Sequence, residues 1–288
     1  MPAETRPVTL PATEAHVLRH DSAETDFEIR VAHPVAGMRP LPPGPRDVLY
    51  LLDADLWFGT AVEMTRVMHQ LYGELPPLLV VGVGYATVDP ALQGELRARD
   101  FTPTADSGFE SMARTLPGAR EPTLPAGHRL GGAGSFLAFL LDRVAPFVSE
   151  RYPVDGGRST LFGSSLGGLF TLWAFLRRPD AFDAWIATSP ALWWGDRLLF
   201  DLEADSVDAL RDVDGDLVLA VGSLEEDPRI PMLAPFEMIT NVRRLEARLK
   251  GREHPSLRLS THVLEGESHT SVVPPALTRG LRDVYRRP

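Results

Sequence analysis

The segment Gly163-Ser164-Ser165-Leu166-Gly167 holds a serine with glycine two residues before it and two residues after it. A serine hydroxyl attacks a carbonyl carbon only when it stands clear of the backbone and a base can take its proton. A tight strand-to-helix turn raises it, at the cost of a strained backbone with no room for side chains at the flanking positions. The chain around the motif suits that turn, because STLFGS (159–164) reads as a strand and LGGLFTLWAFLRR (166–178) as a helix stopped before Pro179. Fifteen serines and 24 glycines in 288 residues would produce only about 0.1 such matches by chance. The chemistry expected is nucleophilic attack by Ser165, with the Leu166 N–H at the helix N-terminus aimed at the developing oxyanion. Ser164 lacks the flanking glycines and is read as a neighbour.

A serine nucleophile of this kind is followed in the chain first by an acid and then by a histidine. His269 stands in Gly266-Glu267-Ser268-His269-Thr270, just beyond the strand LRLSTHVLEG (257–266) and before a terminal helix over 274–286. A loop at the C-terminal end of a strand is where doubly wound sheets carry their chemistry, so His269 is the expected base. His262 alternates with Arg258 and Ser260 and reads as an exposed strand residue; His254 and His128 follow no strand end. The acid is left open among Glu225, Glu226 and Asp227, which follow the strand DLVLAVGS (216–223), with Glu225 favoured and Asp196 a more distant choice. A second oxyanion donor belongs in the loop after the strand RDVLYLL (46–52), where the Asp55 backbone N–H is the candidate.

These positions need a scaffold. TDFEIRVA (25–32) alternates, and LLVVGVGY is a continuous apolar run, the mark of a parallel strand covered on both faces. AWIATS (184–189) is a further strand, followed by a tryptophan-containing loop. Helical spacing runs through 57–73, through GSFLAFLLDRVAPFVSERY with a kink expected at Pro146, and through 236–250. Alternating strands and helices predict one domain over 1–288, a mostly parallel doubly wound sheet with helices on both faces. Residues 86–130 carry five prolines and no sustained period, and are expected to form an irregular lid or pocket wall.

Composition narrows the function further. Cysteine is absent, which removes disulfides, thiolate metal sites and a cysteine nucleophile, so the nucleophile must be an oxygen. A formal charge of −10 argues against general nucleic-acid binding. Residues 1–20 hold no apolar run of signal-peptide length and no stretch approaches 18 apolar residues, which predicts a soluble cytoplasmic protein. No H-E-x-x-H motif or histidine pair with ligand spacing is present, and Gly131-Gly132-Ala133-Gly134 follows a loop, so neither a metal nor a dinucleotide cofactor is expected.

DFEIRVAHP, VLYLLDADLWF, LLVVGVGY, RARDFTPT, GSSLGGLF, TSPALWWGD, VGSLEED and EGESHTSV occur in an order that resembles an α/β-hydrolase family of esterases, enterochelin esterases and trilactone-siderophore hydrolases among them. The similarity runs from about residue 25 to residue 285. It implies the α/β-hydrolase fold, Ser165 as nucleophile, His269 as base, and Leu166 and Asp55 as backbone oxyanion donors. Glu225 matches a Gly-x-x-Glu pattern, although some siderophore hydrolases of this kind work with a Ser–His pair. Ala54 replaces the family's usual glycine. An anionic catecholate ester would call for arginines and aromatics, and Arg97, Arg99, Arg114, Trp193 and Trp194 are the candidates. The competing expectation is that Arg97 and Arg99 pair on the surface with Asp100 and Glu95, and that the tryptophans are core. Beside siderophore ester hydrolysis stand a general aryl or acyl carboxylesterase, an acyltransferase, and a catalytically silent binding protein.

Overall fold

The computed structural model describes residues 7–19, 26–114, 121–124, 126–230, 234–252 and 254–285. Strands β1 (Thr13–Arg19), β2 (Asp26–Ala32), β3 (Val48–Leu51), β4 (Leu79–Tyr85), β5 (Ser159–Ser164), β6 (Ala184–Thr188), β7 (Gly215–Gly222) and β8 (Leu257–Leu264) form one sheet in the order β1-β2-β4-β3-β5-β6-β7-β8. The pairs β1–β2 and β2–β4 are antiparallel, and every pair from β4–β3 to β7–β8 is parallel. This strand order is that of the α/β-hydrolase fold. Every residue of β3, β4, β6 and β7 is buried, as continuous apolar runs require when helices cover both faces.

The helices are α1 (Ala54–Gln70), α2 (Pro90–Phe101), α3 (Ser107–Ala113), α4 (Ala133–Phe139), α5 (Ala145–Arg151), α6 (Leu166–Arg177), α7 (Trp194–Asp205), α8 (Val207–Leu210), α9 (Met238–Gly251) and α10 (Val273–Val284). One face of the sheet packs Leu49, Leu51, Val80 and Ile186 against α1 and α10. The opposite face packs Tyr50, Leu52, Val81 and Leu219 against α2, α4, α6, α7 and α9. Successive residues of a strand point to opposite faces, so adjacent leucines such as Leu51 and Leu52 serve two separate cores.

One strand was not anticipated, and two local expectations change. Residues 13–19 form an edge strand whose largely exposed side chains leave little apolar pattern to read; its pairing with β2 is what orders it. The segment 86–130 is not irregular throughout. Pro90 occupies the first turn of α2, where its missing N–H costs nothing, and Asp89 accepts the Ala91 N–H at 3.0 Å. Asp106 caps α3 in the same way through the Phe109 N–H at 2.8 Å. Residues 115–120 and 125 of that segment lie outside the described residues. Finally, the chain beyond β6 is helical from Trp194, with Gly195, Asp196 and Arg197 in left-handed geometry at its start. Before Pro146, where a kink is expected, the structure has a π-helical turn over Leu140–Val144 between α4 and α5, and Pro146 falls in the first turn of α5, where a missing N–H is tolerated.

Candidate active site

The C-terminal ends of β5, β7 and β8 meet at one point. Ser165 links β5 to α6 with φ 59° and ψ −117°, a backbone state that non-glycine residues rarely hold. The glycine pattern has its steric reason at Gly163, where a Cβ would lie 2.2 Å from the Gly167 carbonyl oxygen. Position 167 is less severe: a Cβ there would come 3.3 Å from Asp53 Oδ2. The turn is closed from β6, since the Ser165 N–H donates to the Thr188 carbonyl at 3.0 Å and the Ala191 N–H donates back to the Ser165 carbonyl at 3.2 Å.

Ser165 Oγ lies 3.0 Å from His269 Nε2, and His269 Nδ1 lies 2.6 Å from Glu225 Oε2. With its proton on Nδ1, the imidazole donates to Glu225 and accepts from Ser165. Glu225 sits in a 3-10 turn over Ser223–Glu226 that directs its side chain inward, and it is wholly buried. Its other oxygen, Oε1, accepts from the Gly222 N–H at 2.8 Å and from Ser189 Oγ–H at 2.5 Å. The two neighbouring acids are engaged elsewhere: Glu226 takes the Thr240 N–H at 2.8 Å, and Asp227 pairs with Arg229. Asp196 is fully exposed at the start of α7. A hydroxyl, an imidazole and a buried carboxylate joined in this order can move a proton from oxygen to nitrogen and stabilise the resulting cation.

Residues 37–262 match the family described as Putative esterase. The chain belongs to that family. It is 32% identical over 286 residues to the ferri-bacillibactin esterase BesA of Bacillus subtilis (strain 168), covering 95% of this chain and 90% of that protein. It is 30% identical to the siderophore triacetylfusarinine C esterase of Aspergillus fumigatus, covering 96% and 94% of the two chains. Among solved structures, it matches the BES protein from Bacillus cereus with a TM-score of 0.81 and 28% identity, covering 99% of this chain and 100% of that one. The protein is an ester hydrolase.

In this esterase Leu166 opens α6, and Asp55 lies in the first turn of α1 directly after β3, so both backbone donors named from the sequence stand at the same end of the sheet. The Asp55 carboxylate turns away, accepting from Arg30 Nη2 at 2.6 Å and from the Tyr85 N–H at 3.2 Å. Ala54, in the place of the family's glycine, is buried.

The arginines of α2 follow the competing expectation only in part: Arg99 does pair with Asp100, though buried and not on the surface, and Arg97 pairs elsewhere. Arg97 donates to both oxygens of Asp53, at 2.6 and 2.9 Å, and to the Ser164 carbonyl at 3.1 Å. Burial works against its charge, but the Asp53 carboxylate outweighs that and holds the guanidinium more firmly protonated than usual. It therefore ties the turn before α1 to the turn before α6. Arg99 is buried against Asp100 at 2.6 Å, while Glu95 instead accepts the Thr123 and Leu124 N–H groups. Arg114 is exposed at the end of α3. Trp194 is core, with its indole N–H donating to Thr104 Oγ1 at 3.3 Å. Trp193 is half-buried and stacks on Phe236 at 4.6 Å between centroids, with Phe109 at 6.3 Å.

His262 is not the solvated strand residue expected, because its Nε2 lies 2.6 Å from Asp283 Oδ2 on α10. Sequence reasoning missed Ser189 and the Arg97–Asp53 pair. The first is one hydroxyl in the apolar strand end AWIATS, and the second joins residues 44 apart that only the packing of α2 brings together. Among the described residues, no group of His, Asp or Glu is arranged to hold a metal ion, and no helix is long and apolar enough to cross a membrane.

Proposed function

We propose that this enzyme is a serine esterase working through an acyl-enzyme on siderophore esters. The carrying observation is the hydrogen-bonded series from Ser165 Oγ through His269 to Glu225, at 3.0 and 2.6 Å. Ser165 Oγ attacks the ester carbonyl carbon as its proton passes to His269 Nε2. Glu225 stabilises the imidazolium, and the tetrahedral oxyanion accepts from the Leu166 and Asp55 N–H groups. The C–O bond to the alcohol breaks, and His269 returns the proton to the leaving oxygen. Water then attacks the acyl-enzyme by the same steps, releasing the acid and free Ser165.

The substrate class is supported by the named activities of relatives that align over nearly the whole chain, both of them siderophore esterases. A panel of linear and cyclic catecholate siderophores and short p-nitrophenyl esters, run with the native enzyme and Ser165→Ala, tests both parts. Native turnover of at least one siderophore, lost by about 10⁴-fold or more in Ser165→Ala with no change in Tm, is the expected result. Undiminished hydrolysis by Ser165→Ala would refute the nucleophile, and turnover of simple esters alone would refute the substrate class.

A further inference from the structure

The turn after β6 touches both the nucleophile and the acid. Thr188 and Ala191 hold the backbone of Ser165, as described above, and Ser189 between them is wholly buried with its hydroxyl 2.5 Å from Glu225 Oε1. Ser189 has φ 44°, a left-handed backbone that glycine would adopt without strain. Its own N–H is spent on the Ala220 carbonyl at 2.7 Å. Glycine would therefore satisfy everything the backbone asks at this position, and what serine adds is the hydroxyl.

The hydroxyl acts on a carboxylate that has to present one particular oxygen. Oε1 of Glu225 receives two donors, the Gly222 N–H from β7 and Ser189 Oγ–H from β6, which leaves Oε2 to His269. With Gly222 alone, the carboxylate could pivot about a single hydrogen bond, and the imidazole it orients would pivot with it. We infer that Ser189 is a positioning residue that acts through Glu225, saturating one carboxylate oxygen so that the other faces His269. This rests on the catalytic reading of Ser165, His269 and Glu225 given above.

The test uses kcat and KM for p-nitrophenyl butyrate, together with the rate of Ser165 labelling by a fluorophosphonate, in Ser189→Ala, Ser189→Gly, Glu225→Gln and the double variant Ser189→Ala/Glu225→Gln. Loss of a hydrogen bond to a charged group predicts a fall in kcat of about ten- to a hundredfold in both Ser189 variants, with KM little changed. Ser189→Gly, freed of the backbone strain, keeps a Tm at or above that of the native enzyme. In the Glu225→Gln background the further loss from Ser189→Ala shrinks to within about twofold, because the group it orients no longer carries its charge. Native kcat in Ser189→Gly, or the same fold-loss with and without Glu225, would overturn the inference. Ser165→Ala run alongside separates the two levels: if it still hydrolyses the ester, the catalytic reading fails; if it is inactive, a negative Ser189 result counts against Ser189 alone.

Discussion

Glu225 and Glu203 are both wholly buried glutamates, and they are held in opposite ways. Glu203 on α7 accepts from Arg248 Nε at 2.6 Å and from Arg252 Nε at 3.1 Å, so two permanent cations neutralise it and tie α7 to α9. Among the described residues Glu225 meets no guanidinium; its three donors there are a backbone N–H, a hydroxyl and an imidazole. A buried carboxylate already paired with cations serves as a strut and has little attraction left for a new charge. One held only by dipoles keeps its field for a positive charge that appears beside it, and under the proposed mechanism the imidazole that takes the Ser165 proton would be such a charge.

The largest effect is expected at Glu225 itself. Glu225→Gln keeps an oxygen for Ser189 and Gly222 but loses the charge, and kcat should fall by about 10³- to 10⁴-fold with Tm almost unmoved. Steady-state rates and a thermal melt on the same preparation check both halves; a large Tm loss with retained kcat would reverse the assignment. Glu203→Gln should do the opposite. Stability should fall by about 2–3 kcal/mol, below the full penalty for an orphaned buried pair because both arginines are about a third exposed and can rehydrate. Its kcat should stay native; a rate loss comparable to that of Glu225→Gln would erase the distinction.

The smallest effect lies beside the structural glutamate. Burial pushes His254 below its ordinary value, overcoming the nearby Glu203 carboxylate, and among the described residues neither ring nitrogen has a hydrogen-bond partner. The unfolded chain therefore takes up this proton first on acidification. Its contribution to stability is fully present above the unfolded value near 6.5 and is lost as pH falls through it towards the lower folded value. Melting curves between about pH 7.5 and 5.5 should show Tm falling on acidification, and His254→Asn should flatten that slope by a small but measurable amount. An unchanged slope in the variant would mean that the proton goes elsewhere.

The strands that carry the site were legible because buried parallel strands must be apolar on both faces, as VLYLL, LLVVGVGY and DLVLAVGS are. The edge strand β1 was not, since TEAHVLR is largely exposed and takes its order from pairing. Helices α2 and α3 left signals that five prolines obscured: Asp89-Pro90 and Asp106-Ser107 are each a cap followed by a first turn. For the candidate site, Ser165, His269 and Glu225 could be named from local patterns, as could Asp100 beside Arg99, whereas the partner of Arg97 could not. Arg97 and Asp53 belong to different βα units, and nothing in either segment alone says that they meet.

Glycine spacing around Ser165, the strand before it and the helix after it follow from sequence alone, because a strained strand-to-helix turn depends on residues within a few positions of one another. The absence of cysteine likewise excludes a thiol nucleophile from the sequence alone. The choice among Glu225, Glu226 and Asp227 did not follow, since three adjacent carboxylates are chemically alike. The single 3-10 turn after β7 directs one to His269, one to Thr240 and one to Arg229. Tertiary structure alone decided which carboxylate would be buried without a cation, because burial and partners arise from strands β6, β7 and β8 lying side by side, and those lie far apart along the chain.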